Sequence, residues 1–391
     1  MKATRGLVLL VTLAVGLATV VSPKSARTQE DSEAADAQFQ PTDKVSKDEM
    51  SARSHCGASN QTTATFAGIT TWHLCFDAVS RFGLIIRVAD FKKAPTASFL
   101  RVLFDMRLSE IFVPYHPGQP RFFDISGFNF PLRTLSTRDC PSPRLIVAGG
   151  KVCREFRDRG LLWKNDSLVR RGQELVLWSV LDAANYNYII EWSFREDGSI
   201  GGRAGSTGPK LAGADDTRGH MHNFTWRIDI DLNGSGGDSA LFTRHVELFS
   251  PPPSRGSDQE FLITQEGGRV WTATQYSTLK VVDATLQNGR GRQTAYELVP
   301  NRMGAARHTE AYTQFDFWVT RHNTAELFGS GLSSFVSPAQ STVGQDIVVW
   351  YTGSAHHEDN MRDEDRDTVP VLWTGFELVP HNLFDRTPLF P

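Results

Sequence analysis

The feature that most constrains the fold is a succession of short apolar segments that begins near residue 60. They are rich in β-branched and aromatic side chains, and turn residues flank many of them. Clear examples are 82–91, 97–106, 174–181, 188–197, 224–232, 245–249 and 346–353. Helical periodicity is weak, and we expect a turn or two of helix only at residues 105–112. The pattern predicts an all-β chain that forms one large antiparallel β-sandwich.

The amino terminus has the pattern of a secretory signal peptide. A basic start precedes an apolar stretch at 7–21 and small residues before a predicted cleavage site after Ala26. The stretch is too short for a comfortable membrane span, although an uncleaved signal could serve as an anchor. Residues 27–60 are polar and are expected to form a flexible lead-in to a folded domain at 61–391. We predict a secreted protein, extracellular or periplasmic, with no membrane span in the mature chain.

Charge and cysteine content narrow the class of protein further. The formal net charge is −3, with both signs interspersed, so nothing favours nucleic acid as a partner. Four cysteines in an exported chain indicate two disulfides. We expect pairing between cysteines that are close in sequence, Cys56 with Cys75 and Cys140 with Cys153.

Two histidines stand two apart at the start of an alternating segment. In a strand, His220 and His222 point to the same face, and two imidazoles on one face suit copper or zinc. The alternative is a pair of surface histidines beside a turn. His357 follows the apolar segment 346–353 and is the candidate third ligand, unless it is a solvated histidine in an acidic loop. Three imidazoles do not by themselves choose between copper and zinc.

Three aspartates form a second candidate cluster. Asp229 and Asp231 again lie two apart on one strand face, and Asp346 opens the segment that leads to His357. Carboxylate oxygens with backbone carbonyls are the ligands that calcium prefers. The alternative is a set of solvent-facing strand carboxylates.

Residues 182–208, which include the sequence NYNY, resemble the cofactor segment of the copper amine oxidases. That segment reads N-Y-[D/E]-Y, followed by an aromatic strand, a glycine turn and T-G. Other segments resemble the same family in the same order: 105–115, 122–128, 138–156, 161–166, 219–234, 346–357 and 369–388. The resemblance concerns the C-terminal catalytic domain only, and it covers most of the chain after residue 65.

The resemblance implies a copper site and an organic cofactor. Tyr186 matches the tyrosine that copper and dioxygen convert to topaquinone, and Asn185 precedes it as in the family. His220, His222 and His357 match the copper ligands. Topaquinone is an electrophile toward primary amines, and the family releases aldehyde, ammonia and hydrogen peroxide.

The resemblance also implies further site residues. Asp124 matches the base that removes a proton from the substrate, and Tyr115 matches the tyrosine that hydrogen-bonds the quinone. We expect an apolar surrounding to raise the pKa of Asp124. A peripheral calcium-type site is matched by Asp229, Asp231, Asp346 and the carbonyl of Ile347. Family members are usually homodimers.

Three departures from the family pattern bear on activity. Asn187 stands where the family has Asp or Glu, Asp182 stands where it usually has Ser or Thr, and the loop after His357 is more highly charged. The alternative to a primary-amine oxidase is therefore a catalytically impaired copper-binding sandwich that serves as a binding or adhesion protein. A zinc hydrolase on the same histidines is a third reading.

Overall fold

The computed structural model describes residues 56–211, 219–246, 257–357 and 370–386. The predicted signal peptide, most of the predicted lead-in and the charged loop after His357 lie outside these residues. None of the helices in the described ranges has the length and apolar character that a membrane crossing requires.

Nineteen strands and little helix make up the described residues. The strands are β1 (Gln61–Phe66), β2 (Thr70–Val79), β3 (Gly83–Lys92), β4 (Leu100–Pro114), β5 (Arg121–Phe123), β6 (Leu145–Val147), β7 (Val152–Lys164), β8 (Val169–Ala183), β9 (Tyr186–Arg195), β10 (Ile200–Thr207), β11 (His220–Ile230), β12 (Asp238–Val246), β13 (Ser257–Ile263), β14 (Gly267–Arg269), β15 (Thr278–Gln287), β16 (Gln293–Pro300), β17 (Phe317–Arg321), β18 (Ile347–His357) and β19 (Leu372–His381). Single 3-10 turns lie at Ala58–Asn60, Ala273–Gln275, Ala311–Gln314 and Gly329–Gly331, and a short helix, α1, at Leu332–Phe335.

The strands form two antiparallel sheets that pack face to face. Sheet 1 has nine strands in the order β1-β2-β3-β4-β11-β18-β17-β14, with β5 paired to β4. Sheet 2 has ten strands in the order β13-β12-β15-β16-β19-β10-β9-β8-β7-β6. The prediction of an all-β antiparallel sandwich is confirmed. Strands β11 and β18 are neighbours near the middle of sheet 1, and most of their residues are buried.

Two tryptophans join the sheets across the core. Trp72 on β2 donates its indole N–H to the carbonyl of Arg195 on the other sheet at 2.9 Å. Trp192 on β9 donates in the opposite direction, to the carbonyl of Leu84 at 2.9 Å. Both rings are fully buried, so these bonds satisfy polar groups that would otherwise be desolvated without a partner. The two sheets therefore pack in a defined register.

The expectation of helical turns at residues 105–112 is wrong, because the segment lies within the 15-residue strand β4. Its charged residues Asp105 and Arg107 share a strand face and bond each other at 2.7 Å. Arg87 on β3 and Arg227 on β11 each reach Asp105 at 3.2 Å. Burial raises the pKa of Asp105, but these three arginines reverse the shift and hold the pKa well below its usual range. Pairing with two neighbouring strands stabilises a segment whose own pattern was ambiguous.

Both predicted disulfides are present. Cys56 bonds Cys75 on β2, so the segment before β1 is tied to sheet 1. Cys140 bonds Cys153 on β7, so the long loop before β6 is tied to sheet 2. Each bond anchors an irregular segment to a strand and limits the conformations of the unfolded chain.

Candidate active site

Strands β11 and β18 bring the three predicted histidines together. His220 lies directly opposite His357 in the antiparallel register, and His222 lies opposite Ala355. Since residues two apart share a face, His222 is next to both. All three side chains are buried. We call His220, His222 and His357 the histidine cluster.

The nitrogen atoms of the histidine cluster converge on a point. One ring nitrogen from each residue lies within 4.8 Å of the others, and the two Nε2 atoms of His220 and His222 are 3.1 Å apart. Burial lowers the pKa of His220 to about 3, and the pKa of His222 is well below its ordinary value for the same reason. A neutral imidazole offers one nitrogen lone pair, and three ring nitrogens that face one point can together coordinate one cation. The donor set therefore fits a copper ion.

Tyr186 reaches the histidine cluster from the opposite sheet. It is the first residue of β9, and its side chain is buried. Its hydroxyl lies 2.9 Å from Nδ1 of His357 and 3.2 Å from Nε2 of His220. Its ring meets the ring of His222 edge-on at 4.6 Å between centroids. The phenol oxygen is thus adjacent to the point where a metal would bind.

A tight turn places Tyr186 at the start of its strand. Ala184 and Asn185 connect β8 to β9, and Ala184 adopts a left-handed backbone with φ of 60°. The Asn185 amide donates to the carbonyl of Pro209 at 2.8 Å. At Gly208, whose φ is 139°, a Cβ atom would lie 2.1 Å from the Asn185 carbonyl oxygen. Only glycine allows the end of β10 to approach the turn this closely.

Tyr115 covers the other side of His220. It follows the last residue of β4, and its ring stacks on the imidazole of His220 at 4.3 Å between centroids. Its hydroxyl accepts a hydrogen bond from the backbone amide of Leu211 at 3.2 Å. Burial raises the pKa of Tyr115, so the phenol is protonated near neutral pH and can donate a hydrogen bond.

Asp124 is linked to the histidine cluster through a tyrosine that the sequence analysis missed. Tyr188 donates its hydroxyl to Asp124 Oδ2 at 2.6 Å, and the same hydroxyl lies 3.4 Å from Nδ1 of His222. Burial raises the pKa of Asp124 to about 7, the expected direction. A signal was available, because Tyr188 stands two residues after Tyr186 and must share its strand face.

Two of the departures from the family pattern face each other. Asp182 on β8 is the cross-strand partner of Asn187 on β9, one pair beyond Ala183 and Tyr186. Arg133 donates to the Asp182 carboxylate at 2.8 Å. In the β8–β9 hairpin that carries Tyr186, the carboxylate is therefore on β8 and not on β9, and Arg133 binds it.

The opposite end of the same two strands carries a second cluster. Ligand atoms of Asp229, Asp346 and His322 lie within 4.8 Å of one another, and His322 Nδ1 is 2.7 Å from Asp229 Oδ2. We call these three residues the aspartate–histidine cluster. Of the predicted set, Asp231 is not among them and Ile347 begins β18 beside Asp346. His322 was missed, because it follows the distant strand β17.

A further carboxylate, Asp238, lies near this second cluster. It is fully buried, and its two carboxylate oxygens have no hydrogen-bond partner among the described residues. Burial, with the carboxylates of Asp231, Asp283, Asp229 and Asp346 nearby, raises the pKa of Asp238 to about 10. Such a concentration of buried carboxyl groups is stabilised by a cation or by protonation.

Known proteins match both the sequence and the fold. The copper-containing amine oxidase alpha 2, peroxisomal, of Arabidopsis thaliana is 26% identical over 396 residues, which cover 81% of this chain and 58% of that protein. The histamine oxidase of Arthrobacter globiformis is 26% identical over 307 residues, which cover 64% of this chain and 42% of that protein. The chain thus spans 58% of the length of the plant relative.

A solved structure and a family model complete the comparison. The copper-containing benzylamine oxidase of Hansenula polymorpha has the same fold, with a TM-score of 0.69, 19% identity, and coverage of 84% of this chain and 62% of that one. A model described as the copper amine oxidase enzyme domain matches residues 151–390, more than half of the chain. On this match, the chain belongs to the copper amine oxidase family.

Proposed function

We propose that this protein oxidises primary amines to aldehydes with release of ammonia and hydrogen peroxide, using copper and topaquinone formed from Tyr186. The observation that carries the proposal is the position of the Tyr186 hydroxyl, within hydrogen-bond distance of both His220 and His357. A phenol beside three converging imidazoles is suited to oxidation by a metal held there. Family membership supports amine oxidation as the chemistry of the site.

Each residue of the site has a task in this proposal. His220, His222 and His357 would hold copper, and the quinone would supply an electrophilic carbonyl and a sink for two electrons. Asp124 would remove the proton from the carbon next to the amine nitrogen. Its pKa of about 7 leaves a useful fraction of the carboxylate ionised near neutral pH while keeping it basic.

Two tyrosines would orient the reacting groups. Tyr188 donates to one oxygen of Asp124, which leaves the other oxygen available to accept the substrate proton. Tyr115 is a protonated phenol packed against His220, and it would donate a hydrogen bond to an oxygen of the cofactor. Both rings are buried, so they also exclude water from the reacting atoms.

The test is a titration of the copper-loaded protein with phenylhydrazine, followed by a screen for amine-dependent peroxide release. We expect a coloured adduct and peroxide from at least one primary amine. The Tyr186→Phe variant should bind copper but give neither signal. Copper-loaded wild-type protein that forms no adduct would refute the proposal and favour a copper-binding protein with a binding or adhesive role.

The remaining parts of the proposal concern the whole protein. We propose that residues 61–391 form the catalytic domain, that the chain is exported after cleavage at Ala26, and that it forms homodimers. The two disulfides support an oxidising compartment. The aspartate–histidine cluster supports a peripheral calcium site built on Asp229 and Asp346.

A further inference from the structure

Glu110 is a buried carboxylate on β4 that binds the segment just after Asp124. Its side chain is fully buried. Its Oε1 accepts hydrogen bonds from the backbone amides of Ile125 at 3.0 Å and Ser126 at 3.3 Å. Its Oε2 accepts from the hydroxyl of Ser126 at 2.5 Å. The two residues that follow Asp124 are therefore bound to one carboxylate.

Asp124 is also held from the other side. Its own backbone amide donates to the carbonyl of Ile111 at 2.8 Å, and the amide of Ile111 donates to Glu110 Oε1 at 3.1 Å. Ser330, in the 3-10 turn Gly329–Gly331, donates to the Ser126 hydroxyl oxygen at 3.1 Å. Three successive backbone amides are thus bound to β4: that of Asp124 to the carbonyl of Ile111, and those of residues 125 and 126 to the Glu110 side chain.

The geometry explains why an acidic residue suits this position. Residues 125 and 126 lie beyond the end of β5, and their amides bind the Glu110 carboxylate in place of a strand carbonyl. A carboxylate offers about four acceptor positions and can take several amides and a hydroxyl together. Buried amides without such an acceptor would be unfavourable, so the segment would shift to find water or another partner.

We propose that Glu110 is a positioning residue, which fixes the Asp124 carboxylate against Tyr188 by binding the amides of Ile125 and Ser126. The inference rests on the proposed function, in which Asp124 is the base. Proton transfer needs heavy atoms within hydrogen-bond reach, and a displacement of about 1 Å can lower a rate roughly 100-fold. Glu110 would thus act on the rate without touching substrate.

The experiment compares Glu110→Ala and Glu110→Gln with a matched control, Glu266→Ala. Glu266 is a buried carboxylate of the same kind, which accepts the amides of Arg321 and Gln340 at 2.8 Å each. Its segment does not include Asp124. Glutamine keeps the oxygen that accepts three amides, whereas alanine removes it. The rate is measured with the primary amine that the wild type oxidises fastest and is divided by the number of phenylhydrazine-reactive sites.

We expect kcat per reactive site to fall about 100-fold in Glu110→Ala, and to stay within about threefold of wild type in Glu110→Gln and Glu266→Ala. Copper content should be unchanged in all three variants. Amide hydrogen exchange at residues 125 and 126 should accelerate only in Glu110→Ala. The proposal is overturned by a per-site rate in Glu110→Ala equal to that of Glu266→Ala, or by unchanged exchange.

The exchange measurement also separates this inference from the proposed function. Wild-type protein without phenylhydrazine-reactive sites would refute the proposed function. The amides at 125 and 126 would still report on Glu110, because their protection does not depend on a cofactor. Unchanged protection in Glu110→Ala would then refute the positioning role as well, whereas accelerated exchange would support it.

Discussion

The two ends of the β11–β18 strand pair carry two different clusters. At one end, His220 and His222 open β11 and His357 closes β18. At the other end, Asp229 lies near the close of β11 and Asp346 precedes β18, with His322 beside them. The same two strands therefore supply a nitrogen-rich cluster and an oxygen-rich cluster.

The difference between the ends lies in what burial does to each set of groups. Burial keeps the imidazoles of His220 and His222 neutral, because it lowers the pKa of His220 to about 3 and holds the pKa of His222 well below its ordinary value. At the other end, burial with neighbouring carboxylates raises the pKa of Asp238 to about 10. At the first end, sheet 2 places the Tyr186 hydroxyl beside His220 and His357. The second end concentrates buried carboxyl groups, which a cation or protonation would stabilise.

The largest expected effect is at the histidine end. His357→Ala removes one of three ligands, so copper content, phenylhydrazine reactivity and amine-dependent peroxide release should all fall to background. His356→Ala is the matched control, because the neighbouring side chain is exposed and points away from the cluster. Metal analysis and peroxide assays give the readout. Full copper content in His357→Ala would show that the histidine cluster is not the copper site.

The next effect separates metal binding from proton transfer. Asp124→Asn keeps the size of the side chain but removes the base, so kcat/KM should fall by about 10² to 10⁴. Copper content and the phenylhydrazine-reactive fraction should stay near wild type, because Asp124 does not belong to the histidine cluster. Steady-state kinetics on protein with a measured cofactor content checks this. A loss of less than tenfold would exclude Asp124 as the base.

A smaller effect concerns pH. Because burial raises the pKa of Asp124 to about 7, kcat/KM should rise with pH and level off above that value. The hydrogen bond from Tyr188 stabilises the carboxylate and lowers this pKa, so Tyr188→Phe should move the transition to higher pH. The measurement is a pH–rate profile of both proteins. A profile with no ionisation above pH 5 would contradict the role of Asp124.

The smallest effect on activity is expected at the aspartate end. Calcium should raise the unfolding temperature of the wild type. The free energy of unfolding should increase by about 2.7 kcal/mol when free calcium is 100-fold above Kd. Asp346→Asn should abolish this increase and leave copper content unchanged. Differential scanning calorimetry with calcium or with EGTA measures it. Identical unfolding temperatures for the wild type in both conditions would refute calcium binding at the aspartate–histidine cluster.

Asp238→Asn tests the charge balance at the aspartate end without calcium. The folded pKa of Asp238 is above its ordinary value, so its contribution to stability is complete below about pH 4 and is lost as the pH rises toward 10. Without calcium at neutral pH, the asparagine variant should therefore be more stable than the wild type. A less stable variant across pH 6 to 9 would show that Asp238 has a stabilising partner there.

Features set by neighbouring residues in the chain could be predicted from sequence. The spacing of His220 and His222 places both on one strand face, whatever the rest of the fold. The two disulfides join cysteines that are close in sequence, so few alternatives competed. The sandwich follows from many apolar strands separated by turns.

Features set by contacts between distant elements could not be predicted. His322 meets Asp229 across 93 positions of sequence. The strand face of Tyr188 follows from that of Tyr186, but its contact with Asp124, 64 positions away, does not. The strand at 105–112 depends on pairing with β3 and β11, and its local pattern does not show this. Glu110 joins β4 to the segment after β5 through backbone amides, which carry no sequence signal.

Peptide mass spectrometry of residue 186 tests the proposed conversion of Tyr186 to topaquinone. Protein prepared without metal would be compared with protein exposed to copper in air, and each would be analysed before and after phenylhydrazine. We expect an unmodified tyrosine without copper, and with copper a residue that carries added oxygen and forms a hydrazone. An unmodified Tyr186 in protein with a full complement of copper would contradict this expectation. Asn187 and Asp182 would then be the first positions to replace with the residues usual in the family.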